Sequence, residues 1–372
     1  MKIVILCDWL PPEFGAVGQY ALAYARGLAC AGHHVALIGL STQRVDDAVE
    51  EINPGRLVVR RVVRPRYAKH SNVRRAVWTI ASNFALLWRA RHVLRHVDEL
   101  QFSGSPPYMI HFAQPLALLL RISTRYRMTD FHPECLMAEY GHVPPWLRLV
   151  HRLTIFWRRR VGVVEIIGQD QRAHLLKQGI DARRIELRRD ASPVRFATGE
   201  SAARTPDALR GRRVLLYSGN WGVAHDADTF VRGLLRFESR RPGVAGLWLN
   251  ATGSRVAGIA TRLQPHLPCA RTEPVPLEQL AGVLAAADIH VICLRDSFVG
   301  YVLPSKVYAC IESRRPILFI GSEQSDVHAL CASAVSQGLI RYRRVEVGDV
   351  RGVSDAILSL FAAADEQRPR AA

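Results

Sequence analysis

The sequence has no hydrophobic run long enough to span a bilayer. The longest candidate, Pro107 to Leu120, contains His111 and Gln114 and falls short of the ~18 apolar residues a spanning helix needs. It has no CxxC pair, and its seven cysteines are odd in number and scattered. That pattern excludes a disulfide framework and a cysteine-based zinc site, and fits reduced, buried thiols in a cytoplasmic protein. The N-terminal apolar run stops at Asp8 without a small-residue cleavage site, so it reads as a first buried strand and not a signal peptide. No GxGxxG follows that strand, and Ser41 and Thr42 stand where a dinucleotide site wants an acid, which disfavours that cofactor. Acids are scarce: 50 Lys and Arg against 33 Asp and Glu leave a net charge of +17. From Arg56 to Val97 there are eleven basic residues and no acid. Such a stretch suits nucleic acid, anionic lipid or a phosphorylated substrate. No helix-turn-helix, zinc finger or aromatic RNA-binding motif accompanies it, which sets nucleic acid aside.

The 372 residues and an ordinary globular composition suggest two domains with ample core. Lys2 to Leu10 reads as a strand, Pro11 to Gly18 as a glycine-containing loop, Gln19 to Ala31 as a helix and His34 to Leu40 as a second strand. This β-loop-α-β order implies a parallel sheet. Gly15 and Gly18 would let backbone approach a ligand ahead of the helix. Ala191 to Gly211 has no period and is rich in Pro, Ser and Ala, as a linker is. A second α/β series begins at Arg213. The expected fold class is α/β, with two Rossmann-like parallel-sheet halves at 1–190 and 212–350, a linker at 191–211, and a terminal helix within 351–372 packing back on the first half.

Val77, Ile80, Phe84, Leu87 and Trp88 recur at helical spacing between Arg74, Arg75, Arg89, Arg91 and Arg95. With Trp78 they describe an interfacial membrane helix, or else a core-packed helix with a basic outer face. Leu147 to Arg160 repeats the character. Asp130, His132 and Glu134 follow a strand end, where open α/β sheets bind ligands. Asp226-Ala227-Asp228 spells DxD but opens a helix, where acids cap. Phe298 to Ile320 reads as loop, helix, buried strand, with Ser305 at the N-cap and Lys306 in the first turn. A serine hydroxyl, a lysine and free N–H groups suit a phosphate, though an ordinary capped helix reads the same.

PPEFGAVGQYALAYARGL near the N-terminus, SGNWGVAHDADTF after the first strand of the second half, the strand-end ATGSR and LPSKVYACIESRRPIL occur in this order. The combination resembles the GT-B glycosyltransferases, specifically retaining family four and its bacterial O-antigen, capsule and exopolysaccharide branch. The resemblance implies two Rossmann-like domains facing across a cleft, acceptor-binding first and nucleotide-sugar-binding second. It places Gly15 and Gly18 at the donor phosphates and acceptor, Gly219 and Asn220 along the donor, Arg255 on the diphosphate, and Ser305 and Lys306 at its grip. His132 would sit by the reacting sugar, with Asp296 a further acid near the donor. No cofactor or metal is then expected, because fixed cations meet the leaving diphosphate. The expected partners are a UDP-sugar, a lipid-linked or glycan acceptor, and an anionic membrane surface reached through segment 56–97. The expected location is the inner face of the plasma membrane. Relatives hold the ribose with a glutamate where this chain has Ala309, and have an acid where it has Tyr301; Glu312, one turn on, is the substitute candidate. A sugar-nucleotide epimerase or a non-catalytic assembly partner on the same fold are the alternatives.

Overall fold

The computed structural model describes all residues except 14–15, 66–71, 141, 193, 197–201 and 366–372. Two units meet in sequence between Arg189 and Asp190.

Unit 1 runs β1 (Lys2–Trp9), α1 (Ala16–Cys30), β2 (His34–Ser41), β3 (Ala48–Ile52), β4 (Gly55–Val63), α2 (Asn72–Ala90), β5 (Glu99–Ser103), α3 (Ile110–Leu120), β6 (Ser123–Met128), α4 (Glu134–Met137), α5 (Pro145–Arg158), β7 (Val163–Ile166), α6 (Gln169–Lys177) and β8 (Ile185–Leu187). Its sheet has the order β3-β4-β2-β1-β5-β6-β7-β8 and is parallel except for the β3–β4 hairpin. The central strands are continuous apolar runs because helices cover both faces. Ile3 to Cys7 are all buried. The hairpin strand β3 has no apolar alternation and was not expected. Its acids face arginines instead, Glu50 with Arg26 at 2.8 Å and Glu51 with Arg56 at 2.9 Å.

Unit 2 runs β9 (Arg213–Asn220), α7 (Asp228–Arg240), β10 (Ala245–Thr252), α8 (Val256–Leu263), β11 (Cys269–Thr272), α9 (Leu277–Ala285), β12 (Ile289–Cys293), α10 (Lys306–Glu312), β13 (Ile317–Ile320), α11 (Asp326–Ser336), β14 (Tyr342–Val345) and α12 (Val350–Asp365). The sheet order is β11-β10-β9-β12-β13-β14, and every pairing is parallel. The segment read as a linker joins this unit's core: Val194 and Leu209 are buried against Leu216, Trp248 and Ala309, and the Ala203 N–H donates to Gly282 O at 2.8 Å. The final helix, expected to return to the first half, packs on α7. Phe361 meets Phe237 edge-on at 5.8 Å. Gly233 makes the approach possible, since a Cβ there would lie 2.4 Å from Val353.

In both sheets the chain order reverses once beside the first strand, between β1 and β5 and between β9 and β12. Strands diverging to opposite sides leave a crevice at their carboxyl ends, the place where open α/β sheets bind ligands.

Candidate active site

The unit 2 crevice is built around Lys306. Pro304 and Ser305 deliver the lysine into the first turn of α10, whose seven residues end where Arg314 adopts a left-handed conformation (φ 55°). Ser305 occupies the N-cap position without making a side-chain cap hydrogen bond, so its hydroxyl is not used there to stabilise the helix. The Lys306 stem is partly accessible, but its Nζ is buried and has no hydrogen-bond partner. The ammonium lies 3.2 Å from the centre of the Tyr217 ring. Tyr217 in turn stacks at 3.7 Å on the fully buried Trp221. An aromatic floor thus replaces water, and burial pushes the ammonium from 10.5 down to about 7. Cation–π attraction of ~2 kcal/mol at a desolvated site offsets part of that cost.

Gly219 closes one side. Its φ of +113° is a conformation only glycine adopts readily, and a Cβ there would stand 3.8 Å from Nζ. His225 closes another: its Nδ1 lies 2.7 Å from the carbonyl oxygen of Cys293 at the end of β12. Burial, then the Lys306 charge, lowers His225 to about 4, so it is neutral. Asn220 packs on Gly253 (φ +117°), two residues before Arg255, where a Cβ would clash at 2.5 Å with both Asn220 Oδ1 and Trp221 O. The Arg255 N–H donates to Trp221 O at 3.2 Å, and its side chain is exposed. The structure therefore gathers Gly219, Asn220 and Lys306 at the carboxyl end of β9, with Arg255 anchored beside them.

The other expected residues fall elsewhere. Asp296 lies on an exposed 3-10 turn. Glu312 is exposed on the last turn of α10, about 9 Å along the axis from Lys306 by helical rise. There it lines a groove of about 250 Å³ with Ala191 and residues of α11. Ala309 is buried in the core. Asp228 pairs with Arg262 at 2.9 Å and Arg232 at 3.3 Å, which accounts for half of the DxD spelling. Gly18 lets the start of α1 pack on the end of β1, since a Cβ there would stand 1.8 Å from Trp9 O. Gly15 lies outside the described residues.

The unit 1 crevice holds His132 among groups that sequence alone did not join. Asp8, at the end of β1, accepts a 2.6 Å hydrogen bond from Ser105 Oγ, after β5, while its Oδ1 is buried without a partner. Burial, with Asp130 adding repulsion, raises Asp8 to about 6. Burial raises the Asp130 carboxyl and lowers the His132 imidazole, each shift opposed by the other group's charge. His132 also packs on Tyr108 at 5.9 Å. Beneath this loop Glu134 and the fully buried Arg158 form an ion pair, and Arg158 Nη2 donates to His132 O at 2.9 Å. A carboxylate whose folded value is raised costs stability above that value and nothing below its unfolded value of 3.8. We therefore expect Asp8→Asn to stabilise the protein by roughly 1–3 kcal/mol at pH 7.5 and to change little at pH 3.5. Urea unfolding at the two pH values checks this; an equal effect at both would refute it.

No family model matches the sequence, and no curated protein matches it. Solved structures do. The α,α-trehalose 6-phosphate synthase of Burkholderia multivorans aligns over 98% of this chain and 91% of its own, with a TM-score of 0.65 and 15% identity. WaaG, a glycosyltransferase involved in lipopolysaccharide biosynthesis, aligns over 98% and 93%, with a TM-score of 0.60 and 15% identity. An E. coli trehalose-6-phosphate structure bound with UDP-2-fluoro glucose aligns over 98% and 96%, with a TM-score of 0.63 and 10% identity. Two parallel-sheet units with these strand orders, matched along nearly the whole length by such structures, give the chain the GT-B glycosyltransferase fold.

Proposed function

We propose that this chain is a retaining glycosyltransferase that moves a sugar from UDP onto a lipid-linked or glycan acceptor in cell-surface glycan synthesis, at the inner face of the plasma membrane. The observation that carries the reading is the buried Lys306 ammonium without a hydrogen-bond partner. A dry cation is costly unless an anion arrives, and a leaving nucleoside diphosphate is such an anion. Charge grows on its phosphate oxygens as the glycosidic bond breaks, and Lys306 with the anchored Arg255 would stabilise it without a metal. Ser305 would add its hydroxyl, while Gly219 leaves room for the phosphates. The UDP-2-fluoro glucose held by one similar structure and the lipopolysaccharide role of WaaG support a nucleotide-sugar donor and a surface-glycan acceptor. Asp8, Asp130 and His132 offer hydrogen bonds to acceptor hydroxyls.

A second reading, a non-catalytic relic, is favoured by one observation: the position where relatives hold the ribose is the buried Ala309. Calorimetry with UDP and a coupled assay for UDP release from a panel of UDP-hexoses test both. Binding with turnover is expected. Absence of any nucleotide diphosphate binding would sink the proposal, and binding without turnover on any supplied lipid or glycan acceptor would favour the relic.

A further inference from the structure

Four helices of unit 1, α1, α2, α3 and α5, contain no Asp or Glu, and the last three are neighbours. These three form one surface, because α3 packs against both α2 and α5. His111 Nε2 lies 2.9 Å from Thr154 Oγ1, and Asn83 Nδ2 donates to Pro107 O at 2.9 Å. Each helix buries one apolar side and shows another to solvent. On α2 the outer stripe is Val73, Val77, Ile80, Phe84 and Trp88, 56% to 73% exposed. These residues recur at three- and four-residue steps, so they share one face. On α5, Trp146, Leu149, Leu153 and Phe156 repeat the spacing at 42% to 68% exposure. On α3, Leu119 is 80% exposed beside Leu118. The core-facing positions are different residues, such as Leu86, Leu87, Ala113 and Leu147. A folded chain rarely leaves so many large apolar side chains on neighbouring helices in water without a use.

The charges around these stripes decide what covers them. Arg148, Arg152 and Arg160 are exposed on or beside α5, and Arg121 follows α3. Arg160 lies 3.5 Å over Phe156 and Arg91 lies 4.4 Å over Trp88, which places guanidinium groups at the margin of the apolar stripes. The segment 56–97 contributes less charge than its sequence suggests. Arg56 pairs with Glu51, and Arg60 and Arg89 pair with Asp47, all acids of the β3 strand or just before it. The basic margin therefore extends over α3 and α5, beyond the segment that the sequence singles out. A second copy of this face would bring like charges together. No helix among the described residues is long and apolar enough to cross a membrane.

We propose that the α2–α3–α5 face docks on an anionic bilayer, with its apolar stripes in the acyl boundary and its arginines at the lipid phosphates. The argument stands on surface composition and does not depend on the transfer reaction.

The test uses the full chain with vesicles of phosphatidylcholine alone or mixed with phosphatidylglycerol. Co-sedimentation only with the anionic vesicles is expected. A variant carrying Phe84→Ser, Leu119→Ser and Leu149→Ser keeps every charge and should bind at least tenfold more weakly. A second variant carrying Arg148→Glu and Arg152→Glu should lose binding similarly. All five positions are exposed, and circular dichroism confirms that the variants fold. Undiminished binding by the serine variant overturns the proposal. So does a chain that ignores vesicles but elutes as a dimer made monomeric by the same substitutions, which would assign the face to self-association.

Discussion

Lys306→Met is expected to lower kcat/KM for the nucleotide sugar by 10²–10³ while making the free protein more stable. The two effects share a cause. The Nζ of Lys306 is buried without a hydrogen-bond partner, and burial brings its value from 10.5 to about 7. Below pH 7 the ammonium is charged in both folded and unfolded chains, and the cost of burying it is fully present. Between pH 7 and 10.5 the unfolded chain binds a proton that the folded chain has shed, so stability rises with pH. Above 10.5 the cost is gone. At pH 7.5 it amounts to up to roughly 4 kcal/mol, which methionine would relieve while keeping the contact with Tyr217. A diphosphate reverses the balance by favouring the charged form. Binding of UDP at pH 8 should then take up close to one proton in the wild-type protein and none through this site in the variant. Calorimetry in buffers of different ionisation enthalpy measures that number. Equal proton uptake by the two proteins would remove Lys306 from the diphosphate site, whatever the activity.

The sheets, their parallel sense and the loop-helix-strand around Lys306 were legible because they are written in local pattern: apolar runs of strand length, punctuated by Pro and Gly. What makes Lys306 reactive was not. Its dryness comes from Tyr217 and Trp221, which stand more than eighty positions earlier in the chain and reach it only because β9 and β12 are neighbours. Asp8 was read as the end of a strand. Only the sheet order brings it to Ser105, 97 positions on, and near Asp130. Two residues stand apart from the Lys306 cluster for different reasons. Glu312 shares a helix with Lys306, but the rise separates them. Gly18 was read as loop but lies in the first turn of α1, where its missing side chain makes room for the protein's own backbone. The basic count over 56–97 overstated the net charge there because the compensating Asp47 and Glu51 lie just outside it, one before and one on the unforeseen strand β3.

The buried pair beneath His132 should show the largest single effect on stability. Arg158 is fully buried, and Glu134 receives its two Nη groups, His151 Nε2 at 3.2 Å and Gln178 Nε2 at 2.8 Å. The guanidinium also lies 5.0 Å over Phe131 and holds the carbonyl of His132. Arg158, outweighing burial, keeps the Glu134 carboxyl far below its ordinary value. That contribution is present above the unfolded value of 4.5 and is lost as pH falls through the folded one. Arg158→Met leaves a carboxylate buried without its main partner, so unfolding free energy in urea at pH 7.5 should fall by about 3–5 kcal/mol. Adding Glu134→Leu removes the stranded charge, and the double variant should regain most of the loss. Catalysis should not follow. The backbone of His132 still lacks its donor, so kcat stays depressed in the double variant even where stability returns. A double variant no more stable than the single one would mean that the pair does not act as a unit. Full activity in the double variant would mean that Arg158 supports the fold and not the position of His132.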